Sequence, residues 1–129
     1  MIIRPALETD IAAIIDFQKK MAWETEKIRL PEDILTRGVM ELFYHPERGK
    51  YYVAEAEGAV LGCLMTTYEW SDWRCGTVLW IQSVYIEQAH RGRGVYSALY
   101  DYIKKMVEED PTLRGIRLYV DKTNTGAQK

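Results

Sequence analysis

The stretch His90-Arg91-Gly92-Arg93-Gly94-Val95-Tyr96 decides how the rest of the chain is read. Before it, Thr77 to Ile86 is apolar at nearly every position. That is the pattern of a central strand covered on both faces. After it, Val95, Leu99, Tyr102, Ile103 and Met106 recur at helical spacing. Glycines between a strand and a helix let the backbone turn tightly and let a ligand come close. The amides of a helix's first turn lack intrahelical acceptors, and the macrodipole adds partial positive charge. Arg91 and Arg93 contribute two formal charges. The combination suits a phosphate or pyrophosphate. The alternative is a basic turn whose glycines serve geometry alone. No lysine-Ser/Thr pair follows the glycines, which argues against an NTPase, and a third glycine for a dinucleotide fingerprint is missing.

Working outward, Asp110-Pro111 ends the helix and Ile116 to Val120 forms a further strand. Strand, helix, strand at this spacing is a crossover with two parallel strands. Upstream, Tyr51–Ala56 and Val60–Tyr68 flank Glu57-Gly58 as a hairpin, and Ser71–Gly76 is the next turn. Ile2 and Ile3 form a short first strand closed by Pro5. Ile11, Ile14, Ile15, Met21 and Ala22 mark one helix, with Thr9 or Asp10 as its cap. Glu24 to Leu30 is a polar connection, and Pro31 starts a second helix with Ile34, Leu35, Val39 and Leu42. The order is β-α-α-β-β-β-α-β, an α/β domain with a mixed sheet.

The whole sequence has 129 residues, 47% hydrophobic and 28% charged, with a net charge of −2. One domain of this size builds a core without a disulfide or metal. The charge balance disfavours bulk nucleic-acid binding, which depends on neutralised phosphates. No run approaches the roughly 18 apolar residues of a membrane span. Arg4 and Glu8 exclude a signal peptide at the N-terminus. Cys63 and Cys75 have neither metal-ligand nor disulfide-framework spacing. Cys63 fits a small core residue and Cys75 a turn residue. The expectation is a cytoplasmic, metal-free protein.

The glycine loop resembles the R/Q-x-x-G-x-G/A acetyl-CoA motif of the GNAT superfamily of N-acetyltransferases. Arg91 takes its first position and Gly94 its middle glycine, while Tyr96 stands where Gly or Ala is usual. Trp80 to Ile86 resembles that family's fourth strand, and Leu118 to Gln128 its fifth strand and the turn after it. The resemblance implies a mostly antiparallel sheet with a parallel pair at the crossover. It also implies acetyl-CoA as co-substrate, with direct attack by a primary amine of a small molecule or protein. Val84, Tyr85 and Ile86 would line the pantetheine arm, Gly92, Arg93, Gly94, Val95 and Tyr96 would hold the pyrophosphate with Arg91, and Asn124 would reach the arm from the other side. A rival is a GNAT-like module that binds CoA or a partner protein without turnover.

Acceptor candidates come from three places. Glu24 and Glu26 are two acids that could draw in an amine and take its proton; equally they suit a solvated loop. Trp23 beside them fits either the core or an acceptor wall. Trp70, Asp72 and Trp73 could cage an organic cation, or cover the end of the sheet. Gln82 is polar in an apolar strand, and a buried amide needs partners, so it is a candidate for holding a water in the cleft. His90 fits a surface residue. The family continues past Asn124 into a further helix and strand pair. The expectation is therefore a C-terminally short domain, 1–129, with an exposed sheet edge that favours a homodimer.

Overall fold

The computed structural model describes residues 1–118. Strands β1 (Ile2–Pro5), β2 (Lys50–Ala56), β3 (Ala59–Ser71), β4 (Gly76–Ile86) and β5 (Leu113–Leu118) form one sheet in the order β1-β2-β3-β4-β5. The first three pairings are antiparallel, and β4 and β5 are parallel. Helices α1 (Ile11–Glu26) and α2 (Glu32–Tyr44) lie on one face, and α3 (Val95–Glu109) on the other. This is the mixed sheet expected from the element order, with the parallel pair at the β4–α3–β5 crossover.

Alternation along the strands builds two cores. Leu64, Leu79 and Ile81 pack with Val95, Leu99 and Ile103 of α3. Tyr51, Val53, Cys63 and Tyr85 pack with Ile14 and Phe17 of α1 and Val39 of α2. Cys63 is fully buried, and burial pushes its thiol up to about 12, so it is inert at neutral pH. Cys75 is exposed in the β3–β4 turn.

Several boundaries differ from expectation. The α1 helix runs through Glu26, so Glu24 and Glu26 stand in its last turn and not in a loop. The helix stops where Lys27 turns left-handed, at φ 56°, a position no glycine or proline announces. The β3 strand runs on to Ser71, which places Trp70 in a strand. Neither Thr9 nor Asp10 caps α1 with its side chain. Asp10 instead accepts from the Leu7 backbone N–H at 2.7 Å and from Arg4 at 2.7 Å. Arg4 also reaches Glu55 of β2. The buried carboxylate thus ties the β1 exit to the sheet.

Burial alone would raise the Asp10 carboxyl, but the bonds from Arg4 and Leu7 outweigh it and hold it below its ordinary value. A depressed carboxyl contributes stability above its unfolded value of about 4 and loses it as pH falls through the folded value. Urea midpoints should therefore drop on acidification below about pH 4. Asp10→Asn should be destabilised at neutral pH and show a flatter acid limb. An unchanged acid limb would remove Asp10 from this role.

Candidate functional site

The site begins with a fault in β4. Cys63 pairs with Tyr85, yet Met65 pairs with Gln82. One residue of β3, Leu64, therefore faces two of β4, Ser83 and Val84. Ser83 takes φ 54° to make this bulge. The extra residue inverts the alternation beyond it. Leu79 and Ile81 face α3, whereas Tyr85 faces α1 and stacks on Phe17 with centroids 5.3 Å apart. Without the bulge Tyr85 would share a face with Ile81.

Past the bulge, the end of β4 lines a cavity of about 400 Å³. Val84, Tyr85 and Ile86 form one wall, and Gly92, Gly94, Val95, Tyr96 and Ser97 form another. Met21, Glu24 and Thr25 of α1 close a third side, with His90 and Arg91 at the connection. Gly92 and Gly94 sit at φ +76° and +80°, where L side chains are strained, and a Cβ on either would meet nothing within 4 Å. Gly94 occupies the N-cap position of α3 with no side-chain cap bond. The cradle is therefore open at both glycines, whose left-handed backbone calls for that residue type.

Charge around the cavity is paired. Glu24 Oε1 accepts from Arg91 at 2.7 Å, and Glu24 Oε2 accepts from the Tyr85 hydroxyl at 2.5 Å. Arg91 Nε donates to the Ile86 carbonyl at 2.9 Å, and its guanidinium lies 5.2 Å from the Tyr85 ring centre. Burial would raise the Glu24 carboxyl, but the hydrogen bonds from Tyr85 and Arg91 hold it below its ordinary value. Burial and Glu24 together push the Tyr85 phenol up to about 12. Nearby, Lys20 of α1 bonds Glu87 at 3.0 Å. Two ion pairs thus clamp α1 to the β4–α3 connection.

The remaining candidates lie elsewhere. Arg93 does not line the cavity. Glu26 is exposed on α1. Trp23 is 45% exposed, with Lys27 and Arg29 over its ring, so it is neither core nor cavity wall. Trp70 and Trp73 are 66% and 96% exposed near the far end of the β3–β4 hairpin, and Asp72 is in that turn. They do not join the cavity. Gln82 is half-buried ahead of the bulge and donates to Thr67 Oγ1 at 3.1 Å. Asn124 lies outside the described residues.

One group leaves no motif in the sequence. Trp80 pairs across the sheet with Thr67 on one side and Arg117 on the other, so their side chains share a face. Trp80 Nε1 donates to Glu69 Oε1 at 2.9 Å, and Arg117 Nε is 3.4 Å from Glu69 Oε2. The residues are spread over three strands, and only the register brings them together.

Among the described residues no group of His, Cys, Asp and Glu is placed to hold a metal, and no helix is long and apolar enough to cross a membrane.

Comparison with known proteins completes the assignment. The family model described as the acetyltransferase (GNAT) family matches residues 11–129. The chain belongs to the GNAT acetyltransferase family. A structure described as a possible acetyltransferase, from Clostridium difficile 630, is 43% identical with a TM-score of 0.90. The match covers 98% of this chain and 83% of that one. A structure described as a predicted acetyltransferase with acetyl-CoA, from Clostridium acetobutylicum, is 19% identical with a TM-score of 0.74, covering 95% and 82%. A ribosomal-protein-alanine N-acetyltransferase from Brucella melitensis biovar Abortus 2308 is 16% identical with a TM-score of 0.80, covering 99% and 87%. The last two share the fold. No curated protein matches.

Proposed function

We propose that the chain is an acetyl-CoA-dependent N-acetyltransferase that acts on a primary amine by direct attack. The observation that carries this reading is the open cradle of left-handed Gly92 and Gly94 at the start of α3, facing the end of β4 across one cavity.

The cradle fits the co-substrate. The first-turn amides of α3 and its positive end suit a pyrophosphate, with Arg91 and Arg93 close in sequence. Tyr96 lines the cavity, and its ring stacks on Tyr100 of α3 at 6.4 Å between centroids. Val84 and Ile86 supply strand backbone for the pantetheine arm, although the Ile86 carbonyl already accepts from Arg91. When bound, acetyl-CoA supplies the activated acetyl group. The protein's own part is to hold the two reactants in register and keep water from competing.

Glu24 has a holding role in this scheme. Both its oxygens are bonded, and its carboxyl is depressed. Those bonds suit holding Tyr85 and Arg91 in place more than accepting the amine's proton. In this scheme the amine deprotonates to solvent. Log kcat/KM should rise with pH toward the amine's own pKa, with no break from Glu24 near neutrality. A plateau between about pH 6 and 7 would reveal a protein base instead.

The occupied state of Glu24 also favours a second reading, a CoA-binding module without turnover. Thiol release from acetyl-CoA over a broad amine panel separates the two. Turnover with any amine supports the enzyme; binding of acetyl-CoA with no release on any amine supports the module.

A further inference from the structure

Resting on the acetyl-transfer reading, we propose that the acceptor is an amine bearing a carboxylate, of amino-acid type, with Arg117 binding the carboxylate above the Trp80 ring. The argument starts from the sheet face shared with α1. Tyr85 and Met65 pack in the α1–α2 core, and Gln82 pairs with Met65. Gln82, Trp80 and Arg117 therefore continue that face toward β5. Pairing of β4 with the described part of β5 ends at Ile81–Leu118. Trp80 and Arg117 pair immediately before that point, and Gln82 follows immediately after it. The cavity begins two residues further on, at Val84.

The two carboxylates that flank the cavity and Arg117 are both bonded. Glu24 is held by Arg91 and Tyr85, and Glu69 by Trp80 and Arg117. Neither is left to recruit a polycation. Arg117 is different. Its Nε faces Glu69, its guanidinium carbon lies 5.9 Å from the Trp80 ring centre, and its side chain is 48% exposed. Among the described residues its terminal nitrogens have no hydrogen-bond partner. A guanidinium fixed at one end with its fork free suits a carboxylate, bound through two parallel N–H bonds. Gln82 spends its amide N–H on Thr67, which leaves its carbonyl oxygen to accept from the amine. Gln82 and Arg117 lie two residues apart along the strands and one strand apart across the sheet, roughly 8 Å, a gap bridged by an amine and carboxylate about 3 Å apart with a hydrogen bond of about 2.8 Å at each end. That is the reach of a small amino acid, not of a long polyamine.

The test compares free L-amino acids, their carboxamides and the corresponding decarboxylated amines as acceptors. Thiol release is read alongside saturation-transfer NMR of each acceptor on the protein–CoA complex. Free amino acids should be preferred. Arg117→Gln should raise their KM by about tenfold to a hundredfold, the loss of a charge-assisted pair. Arg117→Lys should recover part of it. The KM for acetyl-CoA should stay unchanged in both. Equal use of the carboxamides or decarboxylated amines by the unaltered protein would overturn the inference and leave acetyl transfer intact. CoA binding without turnover or acceptor binding for any amine would overturn both.

Discussion

Gly94→Asp should abolish acetyl-CoA binding while leaving the protein folded. Gly94 sits at φ +80°, and a Cβ there meets nothing within 4 Å. The folded state therefore suffers only backbone strain, roughly 1–2 kcal/mol for a side chain in the left-handed region. The ligand meets something worse. A carboxylate would stand at the N-cap of α3 among the amides proposed to receive the pyrophosphate. Apposed like charges cost several kcal/mol, so affinity should fall on the order of a hundredfold or more. Gly94→Ala carries the strain without the charge and separates the two effects. Calorimetry measures binding, and circular dichroism checks the fold. Unchanged affinity in a folded Gly94→Asp protein would remove the loop from the cofactor site.

Leu99→Ala should produce the largest loss of stability. Leu99 is fully buried in α3, among Leu79 and Ile81 of β4 and Leu64 of β3. Truncation removes transfer energy and leaves a cavity, together about 3 kcal/mol. For a domain of this size the melting temperature should drop by about 10 °C. Because α3 carries the cradle at its first turn, loss of its anchor should also weaken cofactor binding. A shift under about 1 kcal/mol would mean that this core collapses around the gap.

The fold was legible because its signals are local and periodic. The apolar run of β4, the helical stripe of α3 and the glycines between them predict a crossover, and the crossover sets the parallel pair. The cradle was legible for the same reason: Gly92 and Gly94 are the residues a left-handed backbone asks for. The bulge was not legible. Ser83 adopts a positive φ without being a glycine, so nothing marks the inversion that turns Tyr85 toward α1. The place of Glu24 was only half visible. Its chemistry is plain, but its partners Tyr85 and Arg91 are 61 and 67 residues away. The Trp80–Glu69–Arg117 group depends wholly on strand register. By contrast, the tryptophans of the β3–β4 hairpin stood out by composition and lie away from the cavity. Their exposure, 96% at Trp73, shows that an unusual cluster in sequence need not be part of a cavity.

The most direct test of the central claim is a titration of the ¹⁵N-labelled protein with acetyl-CoA, followed amide by amide. Saturable shifts should centre on Gly92 to Ser97 and on Val84 to Ile86, with the side chain of Arg91 perturbed as well. The far end of the β3–β4 hairpin should stay still. No saturable shift in the cradle at about millimolar acetyl-CoA, or shifts confined to another part of the sheet, would contradict it.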